Sequence, residues 1–444
     1  MIDIKEKEKM VERALLVGAY TEVTARTEAA SLLEELEELV KTLGIPIVDR
    51  LLVHHREQHA RLLLGTGKAD EIVARVREQR IDVIVFDNEL TPSQQRNWEA
   101  LSGVTVIDRQ EVILDIFARR AQTREARLQV ELAQLEYSLP RLTRAWGHLV
   151  RQGGGIGARG EGETQLEQDK RRIRNAIDRC KRELEQVRQS RATQRKDRKR
   201  APVPNAAIVG YTNSGKSSLL RRLTGADVLV EDKLFATLDT TTRKIALPNK
   251  QPLLLTDTVG FVRKLPHRLV EAFNATLEEA ALADFLIHLL DASQPEVVLF
   301  YNTTVKVLSE LGAGDKKTLV VFNKVDELRD STVQTSLRHH FPEALFISVQ
   351  TGEGLEELVE RMAELVATEM ITREFRIPQS AGGLLAQLHR EARILETHYE
   401  GDFVRLVAVL PARLAATCEN LLPGLSAKTF IEPTIFTDKC LPTG

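Results

Sequence analysis

The sequence is poor in cysteine. It has three in 444 residues, Cys180, Cys418 and Cys440, far apart and without the spacing of a ligand set. That argues against a disulfide framework or a cysteine-built zinc site and fits a reducing compartment. An excess of positive charge is also missing: 62 Lys and Arg stand against 64 Asp and Glu, a net charge of −2. Nothing in the total announces a nucleic-acid partner, although a neutral sum can hide a polarised distribution. No apolar run approaches the roughly 20 residues needed to span a bilayer. The stretch from Met1 to Leu16 is charged, so no signal peptide is expected. The reading is a soluble, cytoplasmic monomer, with peripheral membrane association left open. What is present is ordinary globular material, 43% apolar and 28% charged, enough for several cores. The length suggests about three domains.

The most informative stretch runs from Pro204 to Leu220. The apolar run Ala206 to Val209 reads as a buried strand, and Ser218 to Leu223 reads as a helix. Between them lies Gly210-Tyr211-Thr212-Asn213-Ser214-Gly215-Lys216-Ser217, which fits G-x-x-x-x-G-K-[ST]. Strand, glycine-rich loop and helix are the context a phosphate-binding loop requires. Its backbone N–H groups form an anion nest at a helix N-terminus. Lys216 can reach the β- and γ-phosphates, and the Ser217 hydroxyl can ligate Mg²⁺.

Upstream, residues 12 to 110 alternate short apolar runs with helical patterns. Strands are predicted at Ala14–Val17, Ile45–Val48, Asp82–Phe86 and Val104–Ile107, with helices over Ser31–Leu43, Lys68–Gln79 and Thr91–Leu101. This alternation argues for a small parallel α/β domain. Gly65-Thr66-Gly67-Lys68-Ala69 looks superficially like a second phosphate loop. Leu62 stands where the first glycine should be and Ala69 where a hydroxyl should be, so it reads as a turn and helix start.

From about 119 to 200 the pattern changes. Leu128, Leu132, Leu135, Leu139 and Leu142 follow a 4-3-4-3 spacing, and Ile173, Ile177, Cys180, Leu184 and Val187 repeat it. Two such helices suggest an antiparallel hairpin packed along an a/d seam, with Pro140 kinking or shortening the first arm. The second arm is expected to extend about 45 Å. The glycine-dense stretch Gly147–Glu163 between the arms reads as a connector or as a loop that adapts to a large partner. The segment Lys170–Arg200 is crowded with Lys and Arg, either a solvated face or an RNA-phosphate contact.

Beyond Ser217, the companions of a phosphate loop follow in order. Asp257-Thr258-Val259-Gly260 comes after the apolar run Leu253–Leu255, where Asp257 can hold Mg²⁺ through water and the Gly260 N–H can face the γ-phosphate. Asn323-Lys324-Val325-Asp326 follows the strand Thr318–Phe322; its last carboxylate can accept both N1–H and N2–H₂ of guanine, which selects GTP over ATP. Ser348-Val349-Gln350 is similar to the GTPase motif whose backbone N–H reaches the base oxygen, although Val349 stands where alanine is usual. The Mg²⁺ threonine of the first switch must come from Thr237, Thr240, Thr241 or Thr242. Its place before the strand Arg243–Leu247 favours Thr237, in Phe235-Ala236-Thr237-Leu238-Asp239. One more absence matters: the position after Gly260, which in Ras-like enzymes is a water-orienting Gln, is Phe261. Intrinsic hydrolysis should be slow, and something else must complete the site.

These motifs together resemble the HflX family of translational GTPases, related to Obg and Era. The carrying residues are GYTNSGKS at 210–217, LFATLD at 234–239, DTVGF at 257–261, NKVD at 323–326 and GGGIGARGEGETQLEQDKRRIRNAI at 153–177. The resemblance covers essentially the whole chain. It implies a cytoplasmic, Mg²⁺-dependent GTPase that binds the large ribosomal subunit and its RNA near the peptidyl-transferase region. It further implies splitting or rescue of stalled ribosomes under stress, with hydrolysis stimulated by the ribosome. Lys216, Thr237 and Gly260 are the implied catalytic positions, and Ser217, Thr237 and Asp257 the metal positions. In similar GTPases lacking the Gln, an Asn at the place of Asn213 ligates K⁺; the plainer reading is that Asn213 suits the loop.

The expected architecture is therefore α/β: an N-terminal parallel α/β domain (1–118), a helical hairpin with a glycine-rich tip (119–200), a P-loop GTPase domain (203–368) and a small α+β domain (371–444). In the last, a strand over Arg373–Ile377, a helix over Gly383–Thr397 and a strand over Phe403–Leu410 are predicted. Two other functions compete. One is a GTP-switched factor remodelling non-ribosomal RNA, disfavoured by the lack of helicase motifs; the other is a protein-directed switch, disfavoured by the basic run.

Overall fold

Leucine spacing and helix caps set the first elements. The computed structural model describes residues 13–142, 159–198, 203–225, 234–235, 240–248, 251–264, 279–368 and 370–411, apart from 23, 24, 58 and 329, together with 415, 418, 429 and 430. The chain packs as two units, one of residues 1–189, 206–243 and 255–352, the other of 190–205, 244–254 and 353–444.

The first unit begins with β1 (Ala14–Tyr20), α1 (Arg26–Thr42), β2 (Ile47–His54), α2 (Thr66–Glu78), β3 (Val83–Phe86), α3 (Pro92–Ser102), β4 (Thr105–Asp108) and α4 (Arg109–Arg120). Its four strands pair in parallel, in the order β2-β1-β3-β4. In α1 the leucines at 32, 33, 36 and 39 are buried, as the helical period requires. α3 carries a full capping box between Thr91 and Gln94, Pro92 in its first turn, and Gly103 in the left-handed conformation at its end. The Gly65-Thr66-Gly67 stretch is a turn and the start of α2.

The helical segment follows as α5 (Arg124–Ser138), capped by Thr123, and α6 (Arg159–Arg198). Pro140 sits in a 3₁₀ turn over Leu139–Arg141, which ends the first arm. Leu128, Cys180 and Leu184 form the seam, with Leu132, Leu135 and Val187 against it. Arg179 and Lys181 pair with Glu131 and Glu136 across the arms, so part of the basic run serves the hairpin. Two expectations change. The 40-residue α6 is about 60 Å long rather than 45 Å, and helix already covers 159–163, the last part of the expected glycine loop. Residues 143–158 lie outside the described residues.

Next come β5 (Asn205–Val209), α7 (Lys216–Thr224), β6 (Thr241–Ala246), β7 (Pro252–Asp257), β8 (Phe285–Asp291), α8 (Val297–Glu310), β9 (Thr318–Asn323), α9 (Ser331–His340) and β10 (Leu345–Phe346). They build a six-stranded sheet in the order β10-β9-β8-β5-β7-β6. β5, β8, β9 and β10 run parallel, and the register sets Asp291 opposite Asn323. The central strands are mostly apolar, as burial on both faces demands, with His288 of β8 a buried polar exception. A single core runs from Leu16, Leu33 and Phe117 of the N-terminal layers to Val209, Tyr211, Phe235 and Phe261 around the phosphate loop.

The second unit holds α10 (Leu355–Thr368), β11 (Met370–Pro378), α11 (Gly382–Glu391), β12 (Arg393–Glu400), β13 (Phe403–Pro411) and β14 (Thr429–Phe430). The sheet order is β12-β13-β11-β14, with antiparallel pairing. Here the predicted helix over 383–397 is wrong in its second half. The helix stops at Glu391, and residues 393–400 form a strand along β13. Pairing with a formed neighbour overrides local helix propensity.

Candidate active site

β5 ends at Val209 and delivers the chain into the loop 210–215, from which α7 starts at Lys216. The loop is held by the two segments that sequence reading placed beside it. Phe261 N–H donates to the Gly210 carbonyl at 3.1 Å, and Thr212 N–H donates to the Phe261 carbonyl at 2.8 Å. The Asp257–Gly260 segment is thereby stitched to the loop. The Thr258 hydroxyl adds a bond to the Ile208 carbonyl at 2.7 Å. On the other side, Asn323 Nδ2 donates to the Ser214 carbonyl at 2.9 Å, and its Oδ1 accepts from Val349 N–H at 3.1 Å. One amide thus ties the loop, the end of β9 and the 348–350 turn together. Gly215 makes this approach possible: it has φ +95°, and a Cβ there would sit 2.4 Å from Asn323 Nδ2.

Lys216 is buried and donates from Nζ to the Tyr211 carbonyl at 2.7 Å. Burial pulls its pKa down to about 8, with Asp257 opposing the fall. The Ser217 hydroxyl donates to Asp257 Oδ2 at 2.7 Å, and Asp257 is fully buried. A hydroxyl and a carboxylate meeting in this way are hard oxygen donors of the kind a small divalent cation takes. Lys324 has φ +63° and pairs with Asp291 at 2.7 Å, leaving Val325 and Asp326 in a short turn with Asp326 exposed to solvent. Ser348 is buried and its hydroxyl accepts from Thr351 N–H. Asn213 takes φ +60°, a conformation that asparagine tolerates well. Of the switch residues, Phe235 is described and Ala236, Thr237, Leu238 and Asp239 lie outside the described residues.

The Phe261 ring is buried with Val259 and Val262 in the core and offers no polar atom to a water. Phe235 is also buried, edge-on to Phe117 of α4 with ring centroids 4.6 Å apart.

Sequence reasoning missed a charged cluster beside the loop. The Tyr211 hydroxyl donates to Glu35 of α1 and accepts from Arg263 N–H at 2.6 Å, while its ring stacks on Phe300 at 4.2 Å. The Arg263 guanidinium reaches Glu35 at 3.3 Å, Glu296 at 3.1 Å and the Ser31 hydroxyl at 2.8 Å. Arg109 bridges Glu35 at 3.0 Å and Asp87 at 2.6 Å, and Lys264 reaches Asp87 at 2.8 Å. Burial acts to raise the Asp87 carboxyl, but Arg109 and Lys264 outweigh it and hold it below the usual range. In sequence, Glu35 reads only as one of many acids on the polar side of a leucine-rich helix, so no local signal marks it.

A phosphate loop, an Asp-x-x-Gly segment and an Asn-Lys-x-Asp turn joined in this geometry define a P-loop GTPase. Comparisons with known proteins agree. Residues 30–118 match the family described as GTP-binding GTPase N-terminal, 120–198 its middle region, and 205–324 the family described as 50S ribosome-binding GTPase. A protein of Akkermansia muciniphila named GTPase HflX is 53% identical over 434 residues, 95% of this chain and 99% of its own. The Escherichia coli protein of that name is 41% identical over 392 residues, covering 88% and 91%. Among solved structures, a GTP-binding protein from Sulfolobus solfataricus in complex with GDP is 24% identical, with a TM-score of 0.42 over 80% of this chain and 98% of its own. The chain belongs to the HflX family of GTPases.

Proposed function

We propose that this GTPase acts in the cytoplasm on the large ribosomal subunit, splitting or rescuing stalled ribosomes under stress. The observation that carries the reading is Phe261, buried in the core at the position where a water-orienting side chain would be needed. Such a site gains from a partner that completes it. The match of residues 205–324 to a family described as 50S ribosome-binding supports the large subunit as that partner. The extended hairpin with its basic second arm suits RNA phosphates. Among the described residues, no helix is long and apolar enough to cross a membrane.

Within the site, Lys216 and the 210–215 backbone bind the β- and γ-phosphates, and the Gly260 N–H faces the terminal one. Ser217 and Asp257, the latter through water, would hold Mg²⁺ together with Thr237; the ion would offset charge developing on the phosphoryl oxygens. Asn323, Lys324 and Asp326 read the guanine, aided by the 348–350 turn. Asn213 would ligate K⁺, adding positive charge where an arginine finger otherwise acts; hydrolysis compared in K⁺ and Na⁺ at equal ionic strength checks this.

Co-sedimentation with purified large subunits, under GDP and under a non-hydrolysable GTP analogue, tests the proposal. Binding should be tighter with the analogue and weaken steeply with salt as phosphate contacts release counterions. Absence of binding in both nucleotide states would refute it.

A further inference from the structure

The lysine of the Asn-Lys-x-Asp turn is held by a carboxylate from another strand. Lys324 has φ +63° and ψ +35°, a left-handed conformation that a lysine keeps only where its surroundings over-determine it. Its Nζ lies 2.7 Å from Asp291 Oδ2. Asp291 is the last residue of β8 and is buried, so the pair is shielded more than an ordinary surface ion pair. The parallel register places Asp291 opposite Asn323, and the Ala292 N–H donates to the Asn323 carbonyl at 2.8 Å. The ends of β8 and β9 are thus locked together before the turn begins.

The carboxylate is itself aimed. Asp291 Oδ1 accepts from the Ser293 N–H at 2.9 Å and from the Ser293 hydroxyl at 2.6 Å, which leaves Oδ2 for Lys324. Where that ammonium sits matters for Asp326, exposed two residues on in the same turn. The lysine stem is long and flexible. Released from Asp291, the ammonium is free to swing to the Asp326 carboxylate, where an ion pair competes with guanine for the same oxygens.

We propose that Asp291 is a positioning residue for base recognition. It fixes Lys324, keeps the ammonium off Asp326, and so leaves the Asp326 carboxylate open to the N1 and N2 donors of guanine. The proposal rests on the reading of Asp326 as the guanine-contacting carboxylate. It adds to that reading a specificity residue from β8, outside the Asn-Lys-x-Asp turn. Ser293 acts one step further back, through Asp291.

The test uses the full chain and compares GDP with inosine diphosphate, which lacks the N2 amino group, by equilibrium titration. The parent should prefer GDP by about 10-fold or more, the worth of one hydrogen bond to a charged acceptor. Asp291→Asn keeps the size and one oxygen but removes the charge. It should cut that preference about fivefold, with GDP losing more affinity than inosine diphosphate. Ser293→Ala should act in the same direction and more weakly. In a Lys324→Met background, where the ammonium is gone, Asp291→Asn should no longer change the preference, because its effect runs through that ammonium. A merely structural Asp291 would weaken both nucleotides equally, so an unchanged GDP preference in Asp291→Asn would overturn the proposal. A loss of preference that persists in full in the Lys324→Met background would overturn it too. Equal affinity of the parent for the two nucleotides would instead sink the reading of Asp326, and the proposal with it.

Discussion

The Asn323 side chain binds the Ser214 carbonyl at 2.9 Å, so the residue that opens the guanine motif also holds the wall of the phosphate loop. Because its other amide atom accepts from Val349 N–H, base recognition and phosphate binding share one rigid tie. Asn323→Ala should weaken GTP and GDP alike, since it leaves buried backbone groups unpaired at a cost of about 1–3 kcal/mol. Equilibrium titration with a fluorescent guanine nucleotide measures it; a loss confined to GTP would contradict the shared tie.

Asp326 stands exposed at the end of that turn, open to a base. Asp326→Asn should lose guanine selectivity and gain affinity for xanthine nucleotides, because a site built to pair with the N1 and N2 donors discriminates by about 10⁴-fold or more. Competition binding with XTP, GTP and ATP checks this.

Lys216 is held with a pKa near 8 by burial. Nucleotide phosphates arriving beside it favour the ammonium and raise the value, so binding takes up a proton where the free site is deprotonated. At pH 8 the uptake should be about half a proton, falling toward zero below pH 7. Affinity should decline as pH rises above 8. Calorimetric titrations in two buffers of different ionisation enthalpy read the uptake directly, and heats that do not depend on buffer at pH 8 would contradict it.

Glu35 pairs with both Arg109 and Arg263 while all three side chains are almost wholly buried. Glu35→Ala leaves two cations under-paired in the core. Asp87 and Glu296 remain as partners, so the loss should fall near the lower end of the 3–5 kcal/mol typical of a broken buried pair, about 3 kcal/mol. Chemical denaturation followed at Trp98, which is buried in the N-terminal layers, would report it.

The legible parts of this protein are those whose constraint is local. The phosphate loop, the Asp257–Gly260 segment and the Asn323–Asp326 turn each need particular residues at adjacent positions, and the structure brings all three together. The hairpin seam is legible because a repeat of seven is written into the chain. The cluster around Tyr211 is not: Glu35 lies 176 positions from Tyr211 and 228 from Arg263, and no spacing in sequence encodes that meeting. The strand over 393–400 is not legible where the predicted helix overlaps it, at 393–397, because those residues suit either state alone and only the partner strand β13 decides.

On the proposed function, Phe261 leaves the GTPase site incomplete and the large ribosomal subunit would complete it. Hydrolysis measured with and without saturating purified large ribosomal subunits tests this most directly. The rate should rise at least about tenfold, a barrier change of about 1.4 kcal/mol. A rate unchanged by subunits that demonstrably bind the protein would contradict it.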